Sequence, residues 1–204
     1  METERKYRDI DTGGLILRLA ELGYQSQGLH FEHNLVFDTR ALLLFKSGNL
    51  LRLRSQEWPG RSRHVLTFKG PAQSQAAQTR QVKQRLEIET HLEDAQAMTA
   101  ILTSLGYIVV ATYEKFRESL LAPDGGVRAD LDRLPFGDFL EIEGEPDRID
   151  ELAQALDLDK GKISLKTYHE LNQEWRTARG MAKARDFTFD PETLKRLRAA
   201  CGLS

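Results

Sequence analysis

The chain has 204 residues, of which 40% are hydrophobic, so it is long enough to bury the core of one domain or of two closely joined halves. Its 29 Lys and Arg residues nearly balance 31 Asp and Glu residues, and the net charge of -2 excludes a global positive field for nucleic acid or an anionic membrane surface. The single cysteine, Cys201, excludes a disulfide framework and a thiolate metal site, and no run approaches the roughly 18 apolar residues of a membrane helix, so we expect a cytoplasmic protein.

The first part of the chain predicts a strand, a helix and then a meander of strands. Residues 2–6 alternate as a strand, and apolar residues recur at helical spacing over 12–22. Short strands are predicted at 34–39, 49–54 and 64–69, with Trp58-Pro59-Gly60 as a turn. Residues 73–81 are rich in Gln, Ala and Ser and lack periodicity, which predicts a mobile loop or linker between two halves.

The second part of the chain repeats this plan. A strand is predicted at 83–91, a helix at 95–105, and three strands at 112–121, 127–131 and 139–143. The helix ending Leu22-Gly23-Tyr24 recurs as Leu105-Gly106-Tyr107, and the same offset places Glu87 on Glu4. This repetition predicts two similar halves, although a chance recurrence of a common helix ending is the alternative. Helices at 147–156, 165–178 and 191–200 are predicted to follow.

Charged residues alternate with largely apolar residues along most of the predicted strands. Because successive side chains of a strand point to opposite faces, the charged members of each strand share one face. They are Glu2, Glu4 and Lys6; Arg52 and Arg54; Arg85, Glu87 and Glu89; Lys115 and Arg117; and Glu141 and Glu143. For any one strand, a solvated outer face is the simpler interpretation. For the whole set, the clustering of like charges favours the interior of a closed barrel, and about eight strands leave room for one small ligand.

Carboxylates gathered inside a barrel need a counter-charge, because buried acids raise one another's pKa. Oxygen ligands select hard cations, so Mg²⁺ is the first candidate and Mn²⁺ the second. Mg²⁺ usually shares its coordination with phosphate oxygens, and the basic side chains suit a polyphosphate. This basic set is Lys6, Arg52, Arg54, Lys69, Arg85, Lys115 and Arg117. The sequence therefore predicts a site for a divalent cation and a polyphosphate.

A series of motifs follows in order along residues 1–175. They are Glu2-x-Glu4-x-Lys6, Asn34-Leu35-Val36-Phe37-Asp38-Thr39, Leu51-Arg52-Leu53-Arg54, Leu66-Thr67-Phe68-Lys69-Gly70, Arg85-x-Glu87-x-Glu89, Glu114-Lys115-x-Arg117 and Asp132-x-Leu134-Pro135-x-Gly137-x-Phe139-x-Glu141-x-Glu143. The ordered set resembles the CYTH domain of the triphosphate tunnel metalloenzymes, a family of class IV adenylyl cyclases, thiamine triphosphatases and inorganic triphosphatases.

The resemblance implies an α+β fold: a closed antiparallel eight-stranded β tunnel of two similar halves with flanking helices. It implies a tunnel domain over residues 1–178, and we interpret residues 179–204 as a helical extension. It also implies one or two divalent metal ions, Mg²⁺ or Mn²⁺, on the acidic side of the tunnel. Their implied ligands are Glu2, Glu4, Glu141 and Glu143, with Glu87, Glu89 and Asp132 as additional ligands or as groups that support the ligands.

On the other side the resemblance implies phosphate binding by the basic set, in which Lys115 is included for the strand face that it shares with Arg117. Lys166 lies near Tyr168 in a helix that resembles the tunnel-closing element of the family. The candidate catalytic residues are Glu2, Glu4, Lys6, Lys69 and Lys166.

Three functions stay open on the sequence. The first is metal-dependent hydrolysis of inorganic triphosphate or of a small organic triphosphate. The second is cyclisation of ATP to cyclic AMP and pyrophosphate, which the lack of a recognisable adenine pocket disfavours, since Trp58 and Trp175 are interpreted as packing residues. The third is a non-catalytic polyphosphate-binding module, against which the paired acids argue. We expect a monomer or homodimer that binds a small-molecule triphosphate, without nucleic-acid or membrane partners.

Overall fold

The computed structural model describes residues 1–73 and 80–203, whose strands form a closed antiparallel barrel. The strands are β1 (Glu2–Arg8), β2 (Gln25–Asp38), β3 (Leu50–Trp58), β4 (Arg61–Gln73), β5 (Lys83–Leu92), β6 (Ile108–Leu121), β7 (Val127–Leu134), β8 (Gly137–Gly144) and β9 (Ile163–Ser164). Their order is β5-β4-β3-β2-β6-β7-β8-β1, and the pairing of β1 with β5 closes the barrel. The short β9 adds to the other part of β1. The predicted eight-stranded tunnel is confirmed.

Six helices flank the barrel within the described ranges. They are α1 (Thr12–Glu21), α2 (Leu43–Lys46), α3 (Ala95–Ser104), α4 (Pro146–Ala155), α5 (Tyr168–Ala178) and α6 (Pro191–Ala200). Among the residues that the structure describes, none of the helices combines the length and the apolar character needed to cross a membrane.

The apolar side of the strand alternation faces outward, against these helices. One cluster joins Leu140 and Ile142 of β8 to Leu19 of α1 and Ile149 of α4, and all four side chains are fully buried. On the other side of the barrel, Leu102 of α3 packs over the outer faces of β2 and β3. Burying such a side chain contributes about 1.5–3 kcal/mol. Because the apolar faces are covered in this way, the alternating charged faces point into the barrel.

The two halves end their first helices with the same geometry. Gly23 and Gly106 have positive φ angles of 82° and 92°. The amide N–H of the next residue, Tyr24 or Tyr107, donates to the carbonyl oxygen five residues earlier at 3.0 Å in both cases. This is the Schellman motif, whose left-handed position favours glycine. The repeated Leu-Gly-Tyr segment therefore ends both helices identically, in agreement with two similar halves.

Most strands are longer than the alternation predicts, and β2, β3 and β4 show why. β2 begins at Gln25 because it pairs with β6 from its first residue, and its later part is flanked by β3 as well. β3 and β4 extend to the predicted turn, where Gly60 has a φ of 73°. Pairing along a strand edge thus holds polar residues in extended structure where composition alone does not indicate a strand.

The helix predicted from residue 165 begins instead at Tyr168. Thr167 and Glu170 form a capping box, in which each side chain bonds to the backbone of the other residue, and this fixes the first turn. Residues 165–167 lie outside the helix, and just before them Ile163 and Ser164 pair with β1 as β9. The loop predicted over residues 73–81 includes residues 74–79, which lie outside the described residues.

Candidate functional site

The charged strand faces enclose a cavity of about 200 Å³ inside the barrel. All members of the predicted basic set line it, together with these predicted acids: Glu2, Glu4, Glu87, Glu89, Glu141 and Glu143. Further lining residues that the sequence analysis did not select include Arg63, Lys83, Tyr113, Arg128 and Asp130. Strand alternation was therefore sufficient to identify most of the lining.

Arg117 ties together three neighbouring strands of the cavity wall. One terminal nitrogen donates to Asp130 at 2.6 Å, the other donates to Glu141 at 2.6 Å, and Nε and a terminal nitrogen together grip Asp132. Burial alone lowers the pKa of Arg117, but Asp130 and Asp132 raise it well above its usual range. Carboxylates occupy each nitrogen of this guanidinium, so Arg117 holds the wall together.

Asp132 lies behind the cavity lining, apart from the other acids that were predicted to bind metal. Its side chain is fully buried, and it accepts hydrogen bonds from Lys115 at 3.0 Å and from the Tyr168 hydroxyl at 2.7 Å, in addition to Arg117. These donors saturate the carboxylate. The structure thus gives Asp132 the place of a counter-charge to the bases.

Arg52, another member of the basic set, is held by hydroxyl groups. Its terminal nitrogens donate to the Tyr113 hydroxyl at 3.1 Å and to the Thr67 hydroxyl at 3.2 Å. Glu89 and Glu87 lie 3.7 and 3.9 Å away, beyond hydrogen-bond distance. Burial alone lowers the pKa of Arg52, but Tyr113 and nearby carboxylates raise it by more than burial lowers it. The pKa is therefore above its ordinary value and the side chain stays charged. Its buried Nε has no hydrogen-bond partner among the described residues.

Glu32 is a buried carboxylate beneath the bases that the sequence analysis missed. It has no exposed surface and lies 3.4 Å from Arg54 and 3.5 Å from Lys115. Burial alone raises its pKa, but Arg54 and Lys115 bring the pKa well below the usual range. The signal was available, because Glu32 alternates with Asn34 on the inner face of β2, just as Arg128 and Asp130 alternate on β7.

Three acids, Glu2, Glu87 and Glu143, come together where β1 meets β5 and β8. Lys69 contacts Glu87 and lies 3.5 Å from Glu2, and Arg128 contacts Glu143. Burial raises the pKa of Glu87, and the neighbouring Glu2 raises it further. Burial also raises the pKa of Glu143, although Arg128 opposes this. Burial is the largest cause of both shifts, so this corner disfavours the charged form of the two carboxylates.

The donor chemistry of this corner fits a hard divalent cation. Glu2, Glu4, Glu87 and Glu143 offer oxygen atoms from three neighbouring strands, which is the ligand type that Mg²⁺ and Mn²⁺ prefer. Across residues 1–73 and 80–203, no group of three or more His, Cys, Asp or Glu side chains is already gathered as a metal site. Glu2, Glu87 and Glu143 are paired instead with Lys69 and Arg128, which supply the positive charge in this structure.

The Lys166 side chain points away from the cavity. Its ammonium group contacts Glu174 and its side chain is about half exposed. Only its backbone carbonyl reaches the site, where it accepts a hydrogen bond from Lys6 at 3.2 Å. Lys6 also lies 3.1 Å from Glu141 and 3.9 Å from the centre of the Tyr168 ring. The start of α5 therefore closes one end of the cavity through Tyr168 and the backbone before it.

Comparison with known proteins agrees with this geometry. The CYTH domain family matches residues 1–174. A Methanocaldococcus jannaschii protein named "Putative adenylate cyclase MJ0240" is 28% identical over 182 residues, which cover 84% of this chain and 98% of that protein.

Two solved structures share the architecture. The PH1819 protein from Pyrococcus horikoshii OT3 is 25% identical with a TM-score of 0.71, covering 85% of this chain and 99% of that one. The Hippeastrum protein HpAC1, described by a dominant triphosphatase activity, is 20% identical with a TM-score of 0.61, covering 91% and 99%. The barrel, the ordered motifs and the family match together show that this chain belongs to the CYTH domain family.

Proposed function

We propose that the protein is a divalent-metal-dependent triphosphatase that hydrolyses inorganic triphosphate, or a small organic triphosphate, inside the tunnel. One observation carries the proposal: the cavity lining has ten basic but only seven acidic side chains. Burial and Lys6 lower the pKa of Lys83, and burial lowers the pKa of Arg85, so positive charge is crowded there. A bound polyanion relieves that crowding.

The two sides of the cavity would bind different parts of the substrate complex, the phosphate groups on one side and the metal ion on the other. Arg52, Arg54 and Lys115 would bind phosphate oxygens, because their partners leave them donors that Arg117 lacks. Glu2, Glu4, Glu87 and Glu143 would hold Mg²⁺ or Mn²⁺. When bound, such an ion supplies charge neutralisation at the phosphate oxygens. Lys69 contacts Glu87 and lies beside Glu2, so it can pass from the acids to a phosphate group when a cation takes its place.

Adenylyl cyclase activity is the second candidate, because the Methanocaldococcus jannaschii relative carries that name. The aromatic rings near the bases are already engaged. Tyr113 stacks on Phe187 at 4.9 Å, Lys6 lies over Tyr168, and Trp58 stacks on His30 at 4.2 Å. These contacts favour a substrate without an adenine ring over ATP.

Product analysis separates the candidates. The purified protein is incubated with Mg²⁺ or Mn²⁺ and, separately, with inorganic triphosphate, thiamine triphosphate and ATP, and the phosphate products are resolved. We expect orthophosphate from a triphosphate substrate. Cyclic AMP with pyrophosphate from ATP would establish the cyclase instead. Triphosphate binding that EDTA does not affect, without turnover of any substrate, would establish a binding module.

Glu4→Gln tests the assignment of the acids. The substitution keeps the shape of the side chain and removes one ligand charge, so we expect metal-dependent turnover to fall at least about 100-fold. Glu93→Gln is the matched control, since Glu93 is exposed outside the cavity, and its activity should equal that of the wild type. Circular dichroism verifies that both variants are folded. Full activity of Glu4→Gln would contradict the proposed role of this corner.

A further inference from the structure

The segment of residues 182–189, which we call the C-terminal strap, lies beyond the residues matched by the CYTH family. It runs beside β6, where Phe187 forms a parallel bridge opposite Tyr113. The Phe187 amide donates to the Thr112 carbonyl and the Phe187 carbonyl accepts from the Glu114 amide, both at 3.1 Å. The pairing of β6 with β7 begins only at Phe116, so the strap occupies the edge of β6 that β7 leaves uncovered.

Side chains strengthen this attachment at both ends. The Asp186 carboxylate accepts from the Thr112 amide at 2.7 Å, and the Glu114 carboxylate accepts from the Phe189 amide at 3.0 Å. The strap is therefore fixed to β6 by side-chain as well as backbone hydrogen bonds on either side of Tyr113. This register determines where the Phe187 ring lies.

The Phe187 ring touches two residues of the cavity lining. It stacks on Tyr113 with ring centres 4.9 Å apart and an interplanar angle of 24°. It also meets the His169 ring edge to face at 5.0 Å. Tyr113 in turn accepts the hydrogen bond from Arg52 at 3.1 Å. A continuous series of contacts thus leads from the strap through Tyr113 to the buried guanidinium of Arg52.

The strap also fastens the helix that closes the tunnel. Asn172 of α5 donates to the Ala184 carbonyl at 3.3 Å, and Arg176 donates to the Ala182 carbonyl at 2.6 Å. Asn172 is buried, so its bond to the strap is shielded from water. The strap therefore joins α5 to β6 across the closed end.

We propose that the C-terminal strap is a positioning element of the phosphate site: Phe187 fixes the Tyr113 ring, and the Tyr113 hydroxyl sets the orientation of the Arg52 guanidinium. The functional part of this inference rests on the proposed binding of a triphosphate by Arg52. The hydroxyl bonds to the guanidinium at 3.1 Å while Glu89 and Glu87 stay 3.7 and 3.9 Å away, so Arg52 is oriented without the direct carboxylate hydrogen bonds that Arg117 has.

Steady-state kinetics with inorganic triphosphate and Mg²⁺ test the inference in the full chain. We expect Phe187→Ala and Tyr113→Phe each to raise KM about tenfold with little change in kcat, because they weaken binding in the ground state and transition state alike. Phe187→Tyr keeps the stacking ring and should keep the wild-type KM. Leu197→Ala is the matched control in the same tail, since Leu197 packs near Phe31 and Phe116 and should change only the thermal midpoint.

The double variant distinguishes positioning from general loosening. If Phe187 acts through Tyr113, adding Phe187→Ala to Tyr113→Phe should raise KM less than about twofold further. Independent tenfold effects that multiply, or an unchanged KM in Phe187→Ala, would overturn the inference. If Phe187→Ala does not fold, Phe187→Leu removes the stacking ring, keeps apolar volume and carries the same expectations.

The Arg52 Nε–H resonance in NMR spectra, assigned with Arg52→Lys, gives a readout without turnover. It should shift in Phe187→Ala and in Tyr113→Phe but stay in place in Leu197→Ala. If the resonance shifts in both variants while the wild type neither binds nor hydrolyses triphosphate, the proposed function is rejected and the positioning of Arg52 is retained. Turnover by the wild type with an unshifted resonance in both variants would reject the positioning alone.

Discussion

Arg52 on β3 and Arg117 on β6 are equally buried, each with 6% of its surface exposed, yet their surroundings differ. Arg117 is surrounded by three carboxylates, whereas the groups bonded to Arg52 are the hydroxyls of Tyr113 and Thr67. A buried cation that is fully paired holds strands together. One that is only oriented stays available to a ligand.

The difference arises from the neighbouring strands. β7 places Asp130 and Asp132 beside β6, so Arg117 meets acids from the adjacent strand. β4 places Thr67 directly opposite Arg52, so the adjacent strand contributes a hydroxyl there. The same alternation of charged and apolar residues therefore builds a structural wall in one place and a candidate binding wall in the other.

The largest expected effect is loss of stability in Arg117→Ala. Removing this guanidinium leaves Asp130, Asp132 and Glu141 without their shared partner, so the free energy of unfolding should fall by about 3–5 kcal/mol. Urea unfolding followed by circular dichroism measures it. Arg133→Ala is the control, because the ion pair of Arg133 with Asp138 is partly solvent-exposed and its loss should lower the free energy of unfolding by less than about 1 kcal/mol. An equal loss of unfolding free energy in both variants would contradict the structural role that distinguishes Arg117 from Arg52.

Arg52→Lys should act on binding more than on folding. The ammonium group keeps the charge but loses the planar fork, so we expect the Kd of inorganic triphosphate, measured by calorimetry, to rise about ten- to a hundredfold. The free energy of unfolding should fall by only about 1 kcal/mol. Arg61→Lys, at an exposed arginine outside the cavity lining, is the control. A Kd unchanged by Arg52→Lys would contradict the ligand role of this wall.

The smallest effect concerns acid pH. Burial raises the pKa of Asp130 and Glu141, but Arg117 and other cations lower both below their ordinary values of 3.8 and 4.5. A lowered folded pKa stabilises the protein above the ordinary value, and that stability is lost as pH falls through the folded pKa. We therefore expect the free energy of unfolding to decline by about 1–2 kcal/mol below roughly pH 4.

Two variants test whether the acid titration of Asp130 and Glu141 depends on Arg117 and not on Arg52. In Arg117→Ala the decline should be shallower, because the pKa values of Asp130 and Glu141 are lowered less when only Arg128, Lys6 and Lys115 remain beside them. In Arg52→Lys it should match the wild type, since the hydroxyls of Tyr113 and Thr67 do not titrate in acid. Parallel declines in wild type and Arg117→Ala, measured by urea unfolding at each pH, would show that other groups dominate.

Much of the site could be predicted from the sequence, with clear exceptions. Glu2, Glu4 and Arg52 line the cavity as their alternation indicated. The resemblance predicts Lys166 beside the tunnel-closing helix, but a helix start gives no information on which way a long side chain turns, and the Lys166 ammonium contacts Glu174. Asp132 follows the alternation, yet its neighbours saturate it behind the lining.

The sequence by itself determined which side chains share a face and where the paired helices end, because both depend on local backbone geometry. Only the tertiary structure decided which charges meet. The register of β6 with β7 places Asp132 opposite Arg117, and Tyr113 contacts Phe187 from a segment far along the chain. Register and barrel closure are non-local, so the alternation predicts a charged interior but not the partner of each charge.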